Sequence, residues 1–313
     1  MQRFLAGLLL LALTLPPLRA QAQAPITIVV NFGAGGSADR MARLIAPEMA
    51  EAMGTQLVVK NTTGAAGAIG AAEVARARPD GTTLLLSTTG PMAIQPHFRA
   101  DLPYRITDFA PICLLGDAPV MMMAAPVSGL RTVPDVVARA RQAGGGFNYG
   151  SAGPGSIPHI VMAALAQRAG VSMTHVPFRG SAEAIIALLR DDVSIYADLP
   201  GGLTANNLVP VGVMAAARTA EFPATPTLRE QGYDLVYSIW GGLYAPANTP
   251  PEFLARAEAA CQRALTVPAV VEGFQRIATP ITFRGQRDFA AFQQAELAKF
   301  QAVVQAAGVR PGD

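Results

Sequence analysis

Residues 31–39 read Asn-Phe-Gly-Ala-Gly-Gly-Ser-Ala-Asp and combine the features of an anion receptor. They follow the apolar run 26–30 and precede a stretch with helical character at 40–53. The first N–H groups of a helix lack intrahelical partners, and the helix dipole adds partial positive charge in front of them. The three glycines let a ligand approach the backbone without meeting a side chain. The segment therefore indicates either an anion site that needs no Lys or Arg, or a tight βα connection without a ligand.

Three later turns repeat this pattern of glycine followed by a helix. They lie at 61–67, 150–156 and 178–181. Ligands of open α/β sheets bind beyond the carboxyl ends of the strands, where such turns gather. Two glycine-rich turns that are far apart in the chain, at 31–39 and 150–156, indicate two domains that face each other across a cleft.

Polar residues near these turns offer further contacts. Thr88 and Thr89 follow a predicted strand and would either present hydroxyls to the cleft or cap a turn. Arg179 precedes a helix start and is either a solvated surface residue or a residue of the cleft. Asp39 and Asp198 could form a carboxylate pair, although Asp39 in the first turn of a helix also complements the helix dipole.

Enzymatic functions have weaker support in the sequence. Residues 33–38 roughly satisfy the pattern GxGxxA, but Lys60 follows the second strand, where dinucleotide-binding folds place an acid. No serine lies in the pattern GxSxG, so no hydrolase nucleophile is apparent. The three histidines, His97, His159 and His175, have no Cys or paired acid at ligand spacing, which argues against a metal site. We expect no catalytic residue, no cofactor and no metal.

The first 24 residues have the pattern of a secretory signal peptide. A short basic start precedes an uncharged apolar stretch at 4–15, two prolines break it, and small residues offer cleavage after Ala22 or Ala24. The stretch is shorter than the ~20 residues of a membrane span. We therefore expect an exported protein that works in the periplasm.

The remainder of the chain has no electrostatic preference for nucleic acid. The formal charge of +2 includes Arg3 and Arg19 of the signal peptide, so its removal leaves no net charge. Charged residues make up 15% and hydrophobic residues 51% of the chain, which is typical of large buried cores, and the length fits two domains. Cys113 and Cys261 permit one disulfide or remain two buried thiols, and the sequence leaves both possibilities open.

Strand-like and helix-like segments alternate along most of the chain. This alternation predicts βαβ units and mainly parallel sheets flanked by helices. We place two strands, at 120–125 and 236–240, as crossings between the domains. The first domain then comprises residues 25–124 and 240–313, and the second comprises residues 125–239.

Several motifs carry a family resemblance through their order and spacing. They are FGAGGSAD at 32–39, GAAG at 64–67, PDG at 79–81, NYGS at 148–151 and HVPFRGS at 175–181. With these motifs the chain resembles the periplasmic solute receptors of tripartite tricarboxylate transporters, also called the Bug family. The resemblance extends over about residues 25–308, nearly the whole mature chain.

The resemblance implies a two-domain periplasmic binding protein of the Venus-flytrap type. Its two loops, here 32–38 and 151–157, would grip a ligand carboxylate largely through backbone groups and ordered water. The family's Asp near the end of a domain-two strand falls at Asp198. The predicted ligand-binding residues, from both lines of argument, are Phe32, Ala34, Gly35, Gly36, Ser37, Asp39, Thr88, Thr89, Ser151, Ala152, Gly153, Ser156, Arg179 and Asp198.

The predicted function is that of a monomeric, non-enzymatic receptor that delivers a small organic carboxylate to membrane permease subunits. A receptor that feeds a signalling partner, and an exported hydrolase, are the alternatives. The sequence leaves the ligand open. Arg179 facing inward would favour a second carboxylate, the preference we adopt, whereas Asp198 inward with Arg179 turned away would favour an amino or hydroxyl group.

Overall fold

The computed structural model describes residues 24–309. The predicted signal peptide, 1–24, lies outside the described residues except for Ala24. Within residues 24–309, no helix combines the length and the apolar character that crossing a membrane requires.

Eleven strands and ten α-helices alternate along the described residues. The strands are β1 (Ile26–Val30), β2 (Leu57–Asn61), β3 (Thr83–Thr88), β4 (Phe109–Pro119), β5 (Met121–Ala124), β6 (Asn148–Ser151), β7 (Thr174–Pro177), β8 (Tyr196–Asp198), β9 (Val209–Val213), β10 (Ser238–Pro246) and β11 (Ile281–Gly285). The helices are α1 (Ser37–Met53), α2 (Ala68–Ala75), α3 (Gln95–Phe98), α4 (Val133–Ala143), α5 (Ile157–Ala169), α6 (Ser181–Leu189), α7 (Gly201–Ala205), α8 (Pro251–Ala264), α9 (Pro268–Arg276) and α10 (Gln286–Ala307).

A six-stranded sheet organises the first lobe. Its strand order is β11-β4-β10-β3-β1-β2. β1 pairs in parallel with β2 and β3, so that Val30 lies beside Asn61 and Leu86 at the carboxyl ends of the strands. The apolar runs at 28–30 and 84–86 are fully buried, as expected for strands covered on both faces. Residues 32–38, the first loop, begin at this edge of the sheet.

The strands between residues 121 and 213 form the second lobe. They make a three-stranded sheet of order β8-β5-β9 and a parallel pair β6-β7. A bridge between Tyr149 and Ile195 joins the two sheets, and the Gly150 N–H donates to the Ile195 carbonyl over 3.0 Å. Residues 151–157, the second loop, begin at the carboxyl end of β6, in the same way as the first loop follows β1.

The chain passes between the lobes at Val120 and again at Tyr237, and the two passages lie side by side. The Val120 N–H donates to the Tyr237 carbonyl over 2.9 Å, and the Tyr237 N–H donates to the Met214 carbonyl over 2.9 Å. β5, which the sequence assigned to the first domain, pairs with β8 and β9 of the second lobe. On this pairing we propose domain boundaries at Val120 and at Tyr237.

The sheets are mixed, whereas the sequence predicted mainly parallel sheets. β1 pairs in parallel with β2 and β3, and β6 pairs in parallel with β7. Each antiparallel pair includes β4, β5 or β10. These strands flank the two connections between the lobes, where the chain reverses its direction relative to the neighbouring strands. The alternation of segments gave no sign of this reversal.

A disulfide resolves the question that the two cysteines left open. Cys113 in β4 is bonded to Cys261 in α8, 148 residues further along the chain. Because β4 belongs to the six-stranded sheet, the bond fixes the C-terminal helical region to the first lobe. α10 also extends from the first lobe to contact α5 of the second.

Candidate functional site

A pocket lies between the two lobes at the carboxyl ends of their strands. Residues of the first lobe that line it are Phe32, Gly36, Ser37, Ala38, Thr88, Gly90 and Ile239. Residues of the second lobe that line it are Ala152, Ser156, Ile157, Pro158, Ser181 and Asp198. We call this space the inner pocket. No Lys or Arg among residues 24–309 lines it.

Three helices begin at the inner pocket. α1 starts at Ser37, α5 at Ile157 and α6 at Ser181, and each of these residues lines it. None of the three helices has a side-chain hydrogen bond at its N-cap, so the donors of the first turns are left to other partners. The dipoles of the three helices add partial positive charge at one place. The helix starts therefore favour an anion in the pocket, although no cationic side chain of the described residues lines it.

Asp39 holds the first loop from behind the pocket. Its carboxylate accepts hydrogen bonds from the Gly35 N–H over 2.8 Å, from Arg43 Nε over 2.9 Å and from Asn61 Nδ2 over 2.9 Å. Asn61 Nδ2 also donates to the Phe32 carbonyl over 3.0 Å. Burial by itself would raise the pKa of Asp39, but the hydrogen bonds from Arg43, Gly35 and Asn61 outweigh it and lower the pKa. The ionised Asp39 thus fixes the loop and leaves the pocket to backbone donors.

Three polar side chains of the second lobe, Ser151, His159 and His175, hold the second loop. The Ser151 hydroxyl accepts from the Gly153 N–H over 3.0 Å and is hydrogen-bonded to His175 Nε2. The Gly155 N–H donates to His159 Nδ1 over 3.0 Å. The rings of His159 and His175 stack with their centroids 4.0 Å apart. Both imidazoles therefore hold the second loop, His175 through Ser151 and His159 through the Gly155 N–H.

The first lobe also contributes to the second loop. Gln95 of α3 donates through Nε2 to the Pro154 carbonyl over 2.8 Å. The Phe98 ring meets His159 edge-on, with centroids 5.8 Å apart. The second loop is consequently supported from both lobes.

Ser156 lines the inner pocket and has a buried hydroxyl. The residue is 2% exposed, and its Oγ has no hydrogen-bond partner among the described residues. A buried hydroxyl without a partner costs free energy that a ligand could recover. Ser156 is therefore a candidate side-chain donor for a ligand in the inner pocket.

Asp198 brings a carboxyl group into the inner pocket. The Tyr196 hydroxyl donates to Oδ2 over 2.7 Å, and the Leu199 N–H donates to Oδ1 over 2.8 Å. Burial raises the pKa of Asp198, against the opposing effect of the hydrogen bonds from Ser181 and Tyr196. Arg179 lies elsewhere: its exposed side chain lines a separate outer groove beside Gly153 and Glu183.

The predicted site residues divide into two groups. Those that line the inner pocket are Phe32, Gly36, Ser37, Thr88, Ala152, Ser156 and Asp198. Those outside its lining are Ala34, Gly35, Asp39, Thr89, Ser151, Gly153 and Arg179. Thr89, for example, is fully buried and accepts from the Trp240 N–H over 3.0 Å.

Six lining residues are not among the predicted site residues, although the first two belong to the predicted loops: Ala38, Ile157, Gly90, Pro158, Ser181 and Ile239. Ser181 had a usable signal, because it follows a strand and a glycine at a helix start. Ile239 lies in the crossing predicted at 236–240, but the sequence did not indicate that its side chain reaches the pocket.

The family model described as the tripartite tricarboxylate transporter family receptor matches residues 41–309. The chain belongs to this receptor family. The structure of the periplasmic binding protein BugD is 27% identical to the chain, with a TM-score of 0.87 over 92% of this chain and 99% of BugD. MatC from Rhodopseudomonas palustris, solved with bound malate, is 29% identical, with a TM-score of 0.86 over 90% of this chain and 99% of MatC. A second R. palustris protein, solved with adipate, is 27% identical, with a TM-score of 0.88 over 93% of this chain and 99% of that protein.

These findings confirm the predicted family and fold class, the two-domain α/β fold of periplasmic binding proteins. The family is one of solute receptors. In the described part of the chain, no group of three or more His, Cys, Asp or Glu residues is arranged to hold a metal ion.

Proposed function

We propose that this receptor captures a small carboxylate that carries a hydroxyl or amino group, and delivers it to the membrane permease of a tripartite tricarboxylate transporter. The convergence of three helix N-termini on one pocket carries the proposal. Backbone N–H groups at helix starts bind carboxylates well, and the dipoles of α1, α5 and α6 add to one another there. The unpartnered Ser156 hydroxyl supplies one further donor.

Asp198 supports the hydroxyl or amino group on the ligand. A carboxyl group at 5% exposure beside a bound anion is unfavourable unless it is protonated or faces a donor. A ligand hydroxyl or ammonium group would supply that donor. The preference for a second carboxylate required Arg179 to face inward. Arg179 is exposed and lies outside the inner pocket, so it gives that preference no support.

The ligands of similar proteins agree with a carboxylate and leave the second group open. Malate, found in MatC, is a hydroxy acid. Adipate, found in the second R. palustris protein, has no hydroxyl or amino group. The substituent is therefore argued from Asp198 of this chain and not from the family.

Calorimetry with matched acids tests the ligand class. Succinate, malate and aspartate share a four-carbon diacid skeleton and differ in having no substituent, a hydroxyl or an amine. We expect the preferred substituted acid to bind at least about tenfold more tightly than succinate, and Asp198→Asn to reduce that preference. Equal affinities for the three acids would refute the role of Asp198, and no binding of any small carboxylate would refute the receptor proposal.

Genetics tests the delivery step. Deletion of the gene should abolish uptake of the ligand identified by calorimetry, and complementation should restore it. If uptake is unchanged while a transcriptional response to the ligand is lost, the receptor serves a signalling partner instead.

A further inference from the structure

The lobes meet around the inner pocket through glycines of the second lobe. Gly153 faces Ala66, Gly180 faces Gly33, and Gly201 faces Ile277. Gly153 belongs to the second loop, Gly180 precedes α6, and Gly201 begins α7. At each point the atoms approached on the first lobe include main-chain atoms.

The three contacts differ in how much room they leave. A methyl group at Gly201 would overlap the Ile277 carbonyl oxygen and would lie 2.8 Å from the carbonyl carbon. A methyl group at Gly153 would lie 3.3 Å from the Ala66 N and Cβ atoms. At Gly180 the same group would lie 3.4 Å from the Gly33 N, an ordinary contact distance. The tightest of the three contacts is therefore at Gly201.

The overlap at Gly201 cannot be relieved by a side-chain rotation, because Ile277 presents its main chain. The Ile277 carbonyl also accepts a hydrogen bond from the Thr279 hydroxyl over 3.2 Å, which holds it in place. Relief requires either distortion of one lobe or separation of the two. Because the lobes are joined by two adjacent crossings, rotation of one lobe about the crossings costs less free energy than distortion within a lobe.

We propose that Gly153, Gly180 and Gly201 form a glycine seat against which the first lobe comes to rest, so that these positions set how far the cleft closes over its ligand. The glycine seat rests on the proposed function only in that a ligand is captured between the lobes. Gly201 is a positioning residue: it does not line the inner pocket, and it follows Asp198 by three residues, so its contact with Ile277 also places the strand end that carries Asp198.

Gly201→Ala tests the proposal, with Gly202→Ala as its matched control. The two glycines are adjacent in α7, but a methyl group at Gly202 would meet the Ile185 side chain within the second lobe at 2.8 Å. Neither glycine has a positive φ, so alanine introduces no backbone strain at either position. Gly201→Ala should weaken ligand affinity at least tenfold with little change in the melting temperature of the unliganded protein. Gly202→Ala should keep affinity within twofold even if it lowers the melting temperature.

The distance between the lobes separates closure from a general loss of structure. Spin labels at Ile69→Cys in α2 and Ile186→Cys in α6 occupy exposed positions on opposite lobes. In Gly201→Ala the shortest distances between the two labels should disappear, both without ligand and with succinate, malate or aspartate. Gly202→Ala should give the same distance distribution as the parent protein. Identical distance distributions in Gly201→Ala and its parent would overturn the glycine seat. If no carboxylate binds the parent protein, the proposed function is overturned. The glycine seat is then tested by comparing the label distances of the unliganded variant and parent.

Discussion

The first and second loops occupy corresponding positions in the two lobes but are held by different contacts. Both follow a parallel strand, and both open a helix at the inner pocket. The first loop is fixed by the ion pair of Asp39 and Arg43 together with the Asn61 amide, and all three lie in the first lobe. The second loop is fixed by His159 and His175 from its own lobe and by Gln95 from the other.

This difference indicates which loop depends on contact between the two lobes. The first loop has all its described hydrogen-bond partners within one lobe, although Gly33 also lies against Gly180 of the second lobe. Its hydrogen bonds therefore do not depend on contact between the lobes. The second loop receives a hydrogen bond from Gln95 of the first lobe and lies against Ala66 at Gly153. We therefore expect changes in the second loop to affect ligand binding and lobe contact together, and changes in the first loop to affect mainly its own lobe.

Valine at the loop glycines should produce the largest effects. Gly35 has a φ of 75° and open space around it, whereas Gly153 has a φ of 106° and lies against Ala66. A left-handed backbone costs a β-branched residue roughly 1–3 kcal/mol, so Gly35→Val should weaken binding by about tenfold or more. Gly153→Val adds the lobe contact to that cost and should abolish measurable binding by calorimetry. Near-wild-type affinity in Gly35→Val would exclude the first loop from the grip, and equal losses in both variants would contradict the comparison.

Asp39→Asn should mainly reduce the stability of the first lobe. The variant loses the ion pair with Arg43 and leaves hydrogen bonds of the loop unmade, which costs about 1–3 kcal/mol in the free energy of unfolding. Because the pKa of Asp39 is lowered in the folded state, its contribution is present above its ordinary pKa of 3.8 and is lost as the pH falls through the folded value. The stability difference between wild type and variant should therefore shrink below about pH 4. Urea unfolding from pH 6 to pH 2.5 measures it, and a constant difference would show that Asp39 does not titrate as its partners imply.

The sequence predicted these elements unevenly, for physical reasons. Strand, glycine and helix start are neighbours in the chain, so both loops and α1 could be placed from local pattern. The support of the second loop could not, because Gln95 and Pro154 are 59 residues apart and meet only after the lobes assemble. Likewise Asp39 and Asp198 looked similar as isolated acids. Only the structure shows that one is bound by Arg43 and the other is buried at the pocket.

Substitution of His159 should have an intermediate effect that is confined to the second loop. His159→Leu leaves the buried Gly155 N–H without its ring acceptor, a loss of ~1–3 kcal/mol that we expect to appear as roughly tenfold weaker binding. His159→Asn places an amide oxygen near the position of Nδ1 and should recover part of the affinity. Calorimetry on both variants shows whether the hydrogen-bond acceptor at this position supports the loop. Equal affinities for Leu and Asn would mean that the ring supports the loop by packing alone.

Ser156→Ala should have a small effect on affinity and the most diagnostic combination of results. The hydroxyl is buried without a described partner, so its removal should leave the free energy of unfolding of the unliganded protein unchanged or slightly higher. If the hydroxyl donates to the ligand, its loss should weaken binding by ~1 kcal/mol, about fivefold. Ser37→Ala is the matched change in the first loop, where the residue is only partly buried and water can replace the lost contact, so it should cost less. A larger loss for Ser37→Ala than for Ser156→Ala would place the principal side-chain donor in the first loop and reverse the comparison.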